Sequence, residues 1–318
     1  MMSGSSRRMH VRTASLLAAL TTVLTITTAC GSGQADPTRK SSQGGKTDIT
    51  AAMYPLQWLA ERIGGPDATV TTLTKPGVEP HDLELAPVQV ADLEKTGLVV
   101  YIRGVQPAVD EAVEQHAADR GFDAATAIKT LPPVTQEGEA VVERASDVGY
   151  DPHIWLDPSR MAAIATGLGD RLAATDPAHA TGYRERAAAT ATALKTLDDE
   201  LAHGLSKCTS TAIVTSHAAF GYLADRYKLR QIGISGIDPE AEPSPARLAE
   251  VAKVAEQEKV TTIFTETLVS PKVAEVLSTE IGAKTAILDP VESQPANGDY
   301  LSAMRQNLTA LQAALGCS

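Results

Sequence analysis

Short apolar runs rich in β-branched residues alternate along this chain with stretches of helical periodicity. The runs at Asp48 to Ala52, Ala68 to Leu73, Leu98 to Ile102, Ala212 to Thr215, Leu229 to Ile234, Thr261 to Phe264 and Thr285 to Leu288 predict strands. Between them, Tyr54 to Ile63, Pro87 to Lys95 and Pro245 to Glu258 predict helices. Strand–helix alternation implies parallel sheets covered by helices. Short apolar strands that end in polar loops are what buried parallel sheets show.

One stretch breaks the alternation. From Asp176 to Ser206 the residues are rich in Ala, Leu, Glu, Lys and Arg, all favourable to helix, and Pro177 suits a first turn. This predicts a long, rigid helix joining two α/β lobes at 48–175 and 207–318. The plainer alternative is a surface helix of one lobe. The segment Leu131 to Gly149 is acidic, contains Pro132 and Pro133, and reads as a loop.

The first residues read as an export signal. Arg7, Arg8 and Arg12 precede a small, apolar run from Ala14 to Ala29. That run is short for a membrane span, which needs about 20 apolar residues, so residues 1–30 are expected to be a signal peptide. Cys30, followed by Gly31 and Ser32, is the candidate lipidated residue, although Thr27 stands where such sites usually carry Leu. The alternative is simple secretion, to the periplasm or beyond. Residues 31–47 are polar and aperiodic, and read as a flexible tether.

Composition narrows the function. Apolar residues make up 43% of the chain, enough for a real core, and the net charge of −11 argues against a nucleic-acid partner. With Cys30 set aside, Cys208 and Cys317 are an even pair. In an oxidising compartment they are disulfide candidates. Such a bridge would close a loop on the order of 100 residues, worth up to ~4–5 kcal/mol in the chain-entropy treatment.

The candidate chemistry lies in four residues, each read as sitting where a strand gives way to a loop. They are His81 in KPGVEPHDLELAP, His153 in GYDPHIWLDP, His217 in AIVTSHAAFGYLADRY and Asp289 in KTAILDPVE. Three imidazoles and a carboxylate complete a tetrahedral Zn²⁺ shell. Any one of them alone is more ordinary: a loop histidine, a turn aspartate. Asp151 and Asp157 are further ligands or acceptors for the second ring nitrogen of His153, and Asp157 is alternatively the cap of a helix starting at Pro158. Ser216 is the expected cap of the helix after His217. Glu266, after the strand before Asp289, is a ligand, a supporting acceptor or a bridge between lobes. His10 falls in the signal, and His116, His179 and His203 read as surface residues.

Enzyme signatures are scarce: the chain has no HExxH, GxSxG, GxxxxGK[ST] or GxGxxG. A closed four-ligand shell favours binding over catalysis, because a catalytic zinc keeps a position for water.

Taken together, these motifs resemble the metal-binding lipoproteins that serve bacterial ABC importers for zinc and manganese. PGVEPH with Glu84 and Pro87 is similar to the first ligand loop of that family, and DPHIWLDP to the second. TSHAAFGYLADRYKL with IGISGIDPEAEPSP resembles the third, and IFTETLVSPKVAEVLSTEIGAKTAILDP the segment that ends in the fourth. The resemblance implies two α/β lobes joined by a long helix, with His81, His153, His217 and Asp289 as ligands. It further implies a monomer tethered to the membrane by lipid and partnered by an ABC permease. Two departures stand out: Leu131 to Gly149 carries no histidines, and the third ligand is His217 where manganese-type members commonly have glutamate. Imidazole-rich sites suit Zn²⁺ and carboxylate-rich sites Mn²⁺, so the expected cargo is zinc, with manganese the alternative. The competing functions are an extracytoplasmic zinc hydrolase using Glu266 as base, and an adhesin, which would show an exposed apolar patch away from the metal.

Overall fold

The structure, a computed structural model, describes residues 45–133 and 148–318. The expected signal peptide, Cys30, the tether up to residue 44 and most of the acidic loop lie outside the described residues. Among the described residues, no helix is long and apolar enough to cross a membrane.

Each half of the chain builds one four-stranded parallel sheet. In the first half, β1 (Thr47–Ala51), β2 (Ala68–Thr72), β3 (Leu98–Tyr101) and β4 (Gly121–Asp123) are ordered β2-β1-β3-β4. In the second, β5 (Ala212–Thr215), β6 (Arg230–Gly233), β7 (Thr262–Thr265) and β8 (Lys284–Ile287) are ordered β6-β5-β7-β8. All neighbouring strands run parallel. The central strands β1, β3 and β5 carry buried apolar side chains, as strands covered on both faces must. Both expected sheets are present. β4 was not anticipated, because its three residues, Gly-Phe-Asp, form no apolar run.

Helices cover these sheets. The first half has α1 (Tyr54–Gly64), α2 (Pro87–Leu93), α3 (Pro107–His116) and α4 (Pro158–Thr175). Prolines sit in the first turn of all four, where the missing N–H costs nothing. The second half has α6 (Gly221–Tyr227), α7 (Pro245–Gln257), α8 (Lys272–Ile281) and α9 (Tyr300–Leu315).

Between the halves runs α5 (Ala180–Gly204), 25 residues long, after a 3₁₀ turn at Pro177–His179. At ~1.5 Å per residue it extends about 37 Å. Its buried stripe, including Tyr183, Ala187, Leu194, Leu197 and Leu201, packs on α1, α4 and α9. Hydrogen bonds fasten both ends. Near its start, the Arg186 guanidinium donates to the carbonyls of Ile63 and Gly64 and to Asp67. Farther along, buried Asp198 accepts from Arg226 and from the Tyr227 hydroxyl, and Arg305 pairs with Glu200.

The main core is continuous from the first sheet through α4 and α5 to α9, and includes Trp155, Phe220, Phe264 and Leu288. A smaller cluster, with Val214, Ile232, Val251, Ile263 and Leu277, lies between the second sheet and α7 and α8. Cys208 and Cys317 form a disulfide across 109 residues of sequence, tying the start of β5 to the end of α9. Beside it, the Thr209 N–H donates to the Leu315 carbonyl and the Ser318 N–H to that of Lys207.

Candidate metal centre

Four loops converge between the two halves. After β2, the loop from Lys75 to Ala86 turns at Gly77, whose φ of +81° suits a residue without a side chain. That loop carries His81. His153 belongs to the first half but not to a strand end: it precedes the 3₁₀ turn Ile154–Leu156, well beyond β4. The expectation of a strand end there was wrong, since the DPHIWLDP turn is built by prolines and a buried indole. His217 follows β5 at its C-terminal end, the usual ligand side of a parallel sheet. It lies in a bend, and α6 begins only at Gly221 with Phe220 as its cap residue. Ser216 is therefore not the cap; its hydroxyl donates to the Phe264 carbonyl instead.

The side chains of His81, His153 and His217 meet, and the carboxylate that joins them is Glu292. One ligand atom from each of the four lies within 4.8 Å of every other. The Nε2 atoms of His153 and His217 stand 3.4 Å apart. Glu292 Oε1 is 3.6 Å from the Nε2 of His81, 4.0 Å from that of His153 and 3.8 Å from that of His217. Two nitrogens on one tetrahedral zinc, each at ~2.0–2.1 Å, would be separated by about 3.3–3.4 Å. Three of the four are buried and one is half-buried: His153 and His217 are fully buried, Glu292 is 1% exposed, and His81 is intermediate.

Asp289, the expected carboxylate, is not in this cluster. Its Oδ1 accepts the N–H of Val291 at 2.7 Å and its Oδ2 the hydroxyl of Thr267 at 3.2 Å. The strand-end rule picked the first carboxylate after β8, and the turn through Pro290 and Val291 delivers the second. The only sequence signal for Glu292 was a further acid in the same DPVE stretch.

Two imidazoles are oriented by carboxylates. Asp151 Oδ1 accepts both the backbone N–H of His153 and its ring Nδ1, at 3.0 and 2.8 Å. Glu266 does the same for His217, Oε1 taking the N–H at 3.1 Å and Oε2 the Nδ1 at 2.7 Å. Holding Nδ1–H in this way leaves Nε2 with its lone pair toward the cluster. Asp157, proposed for that role from sequence, instead caps α4, accepting from the N–H groups of Ser159 and Arg160 and pairing with the Arg160 guanidinium. For His81, Glu79 accepts only the backbone N–H, at 3.1 Å.

The charges are strongly coupled. Burial drives the Glu292 carboxyl upward, but the three facing imidazoles outweigh it and hold the group below its ordinary range. Burial opposes protonation of His217, yet Glu266, Glu292 and Glu79 together raise it to about 9. His81 is also raised, by Glu292 against burial, whereas burial lowers His153 despite Asp151. Burial and the neighbouring Glu292 push Glu79 up to about 7. Several buried polar atoms here have no hydrogen-bond partner: His81 Nε2, both oxygens of Glu292 and Glu79 Oε2. Buried polar atoms are normally paired. Unpaired nitrogen and oxygen lone pairs converging in a largely buried cluster fit a bound cation.

Hydrogen bonds cross between the halves beside the cluster. The Trp155 indole N–H donates to the Pro290 carbonyl, and the Tyr300 hydroxyl to the Trp155 carbonyl. The Gly77 N–H donates to the Ser293 hydroxyl.

Comparison with known proteins follows the same line. The family described as "ZnuA: Zinc-uptake complex component A periplasmic" matches residues 49–314. The chain is 34% identical to the zinc-binding lipoprotein AdcA of Streptococcus pneumoniae, over 84% of this chain and 56% of that protein. It thus spans little more than half of that relative's length. It is 30% identical to the high-affinity zinc uptake system protein ZnuA of Bacillus subtilis, covering 90% of this chain and 93% of that one. Among solved structures, the Zn(II)-bound ZnuA-like domain of S. pneumoniae AdcA superposes with a TM-score of 0.71 at 33% identity, over 85% of this chain and 99% of that one. The laminin-binding protein Lmb of Streptococcus agalactiae, titled a bifunctional protein with adhesin and metal transporting activity, superposes with a TM-score of 0.74 at 30% identity, covering 85% and 99%.

Proposed function

We propose a function from one premise: the chain belongs to the zinc-uptake complex component A family. It is an extracytoplasmic receptor that binds Zn²⁺ between its two halves and hands the ion to an ABC importer permease. His81, His153 and His217 supply imidazole nitrogens and Glu292 the fourth, anionic donor. The observation that carries this reading is the convergence of those four donors, from both halves, in a largely buried cluster with unpaired atoms. Glu292 brings one negative charge to a dication and leaves the donor set rich in nitrogen, which favours Zn²⁺ over Mn²⁺. The zinc-binding names of the relatives point the same way.

Each half offers two donors, too few for a four-coordinate ion. Binding therefore couples the halves, and a permease that separates them slightly removes two ligands together. Because α5 is fastened at both ends, the expected motion is a small shift with local ordering around the ligand loops. We assign tethering to a lipid on Cys30, in keeping with the lipoprotein name of AdcA; mass spectrometry of the membrane-extracted protein would detect the diacyl modification, and an unmodified, freely secreted chain would refute it.

Of the competing functions, the hydrolase gains no support, whereas the likeness to Lmb, titled a bifunctional protein with adhesin and metal transporting activity, supports an adhesin role beside metal binding. Both oxygens of Glu266, the suggested base of a hydrolase, are taken up by His217. The exposed Val276 of α8 is surrounded by Lys272, Glu275, Thr279 and Glu280, a mixed surface and not an apolar patch.

The deciding experiment strips the protein of metal, reloads it with Zn²⁺ and Mn²⁺ in competition, and measures content by elemental analysis. One zinc per chain, in preference to manganese, is the expected result. No bound metal, or a preference for Mn²⁺, would sink the corresponding part of the reading.

A further inference from the structure

The turn that brings Glu292 into the site contains an unusual residue. Val291 has a φ of +58° and is buried. A β-branched side chain in the left-handed region is a genuine outlier. Such a conformation persists only where its surroundings over-determine it.

The surroundings are specific. Asp289 Oδ1 accepts the Val291 N–H at 2.7 Å, closing the turn from side chain to backbone. Asp289 is itself held. Its N–H donates to Asn307 Oδ1 at 2.9 Å, its carbonyl accepts from Asn307 Nδ2 at 2.6 Å, and its Oδ2 accepts from Thr267. Between Asp289 and Val291, the Pro290 carbonyl accepts the Trp155 indole N–H at 2.6 Å. These anchors all grip the turn before Glu292; after it, the Ser293 hydroxyl accepts the Gly77 N–H. The Glu292 carboxylate has no hydrogen bond of its own. Its direction is set by the backbone that precedes it.

We propose that Asp289 is a positioning residue for the metal site: by closing the strained Val291 turn against α9, it aims the Glu292 carboxylate at the three imidazoles. This rests on the zinc-receptor reading above. It gives the acid at 289 a task that needs an acceptor oxygen two residues before an N–H, and needs no contact with the ion. An asparagine side chain can close the same turn through its carbonyl oxygen, whereas an alanine cannot.

The test is a double-mutant cycle read by zinc affinity, using competition with a chromophoric chelator and the full mature chain. D289A is expected to weaken zinc binding by about 10- to 100-fold, the range for residues that orient a ligand. D289N should recover most of that loss. In the E292Q background, D289A should add little, because the group it aims has already been disabled. Should D289A fail to fold, D289S, whose hydroxyl closes such a turn more weakly, replaces it in the same cycle.

The proposal is overturned if D289N is as weak as D289A, since the charge and not the turn would then matter. It is equally overturned if the D289A and E292Q losses multiply independently, or if D289A lowers thermal stability and leaves affinity unchanged. Failure of the receptor reading looks different: E292Q and H217A would themselves bind zinc like the parent.

Discussion

The two halves share a strand order but differ in how they hold their proposed ligands. Both sheets run outer, centre, centre, outer, and the loops after the fourth strand of each supply His153 and Glu292. The other two donors are not equivalent: His81 follows an edge strand, β2, and His217 a central one, β5. Support differs too. His153 and His217 each have a carboxylate on the second ring nitrogen, while among the described residues no hydrogen bond reaches the ring of His81. One histidine is thus steered only by its backbone, on a loop that meets the other half through Gly77 and Ser293. Similar sheets need not make similar sites; the loops decide which donors are stiff.

The sharpest way to break this comparison is to remove a stiff donor. H217A should lose more than about 100-fold in zinc affinity, exceeding the range for residues that merely orient a ligand. H116A, on the surface beside Glu94, should bind like the parent. Calorimetry decides between them, and equal affinities would discard the site.

Next in size come the orienting carboxylates. E266Q and D151N should each cost about 10- to 100-fold. E79Q should cost less, because Glu79 holds only the His81 backbone. If E79Q proves the most damaging of the three, the contrast in support is wrong.

The strand pattern had already made most of this architecture readable. Seven of the eight strands lie within a residue or two of the apolar, β-branched runs; the central ones are the most apolar because both their faces are covered. The three histidines were visible because each sits in a loop dense with prolines or strand-end signals. Glu292 was not, since nothing local tells a ligand from a turn-maker when two acids lie three residues apart. That choice depends on Asn307 and Trp155, which approach from 18 and 135 residues away. Asp151 and Asp157 were both legible as acceptors for His153, with Asp157 also a candidate cap; the fold gives the ring nitrogen to Asp151 and the cap of α4 to Asp157.

A subtler measurement probes protons. His217 is raised to about 9 by its acidic neighbours, so at pH 7.5 zinc must displace its proton. Binding enthalpy should then vary with the ionisation enthalpy of the buffer, and affinity should increase from pH 6.5 toward pH 9. The sign for metal-free stability is opposite. A raised imidazole contributes fully below its unfolded value near ~6.5 and loses that contribution as pH rises through about 9. Zinc should accordingly raise the melting temperature more at pH 8.5 than at pH 6.5. A buffer-independent enthalpy would contradict the charge assignment of His217.

Smallest at the site should be the effect of the disulfide. C208S/C317S is expected to lower stability by up to ~4–5 kcal/mol, read from denaturant midpoints, with zinc affinity almost unchanged. The bridge fastens the second half to itself at the start of β5, the opposite end of that strand from His217. A large loss of affinity would mean that this half cannot present its donors without it.

The fastened helix α5 also acts as a ruler whose units are residues. Each added residue advances an α-helix by ~1.5 Å and turns it by about 100°. One residue inserted in the exposed middle of α5 would swing Asp198, Glu200 and Leu201 away from Arg226, Arg305 and the core, while leaving Tyr183 and Arg186 seated. Seven would restore the facing, near two full turns, but lengthen the strut by roughly 10 Å. Neither chain should hold zinc, though both would keep their helical content by circular dichroism. The geometry of a four-atom cluster is in this sense a matter of counting: the number of residues in α5 sets how the two pairs of donors meet.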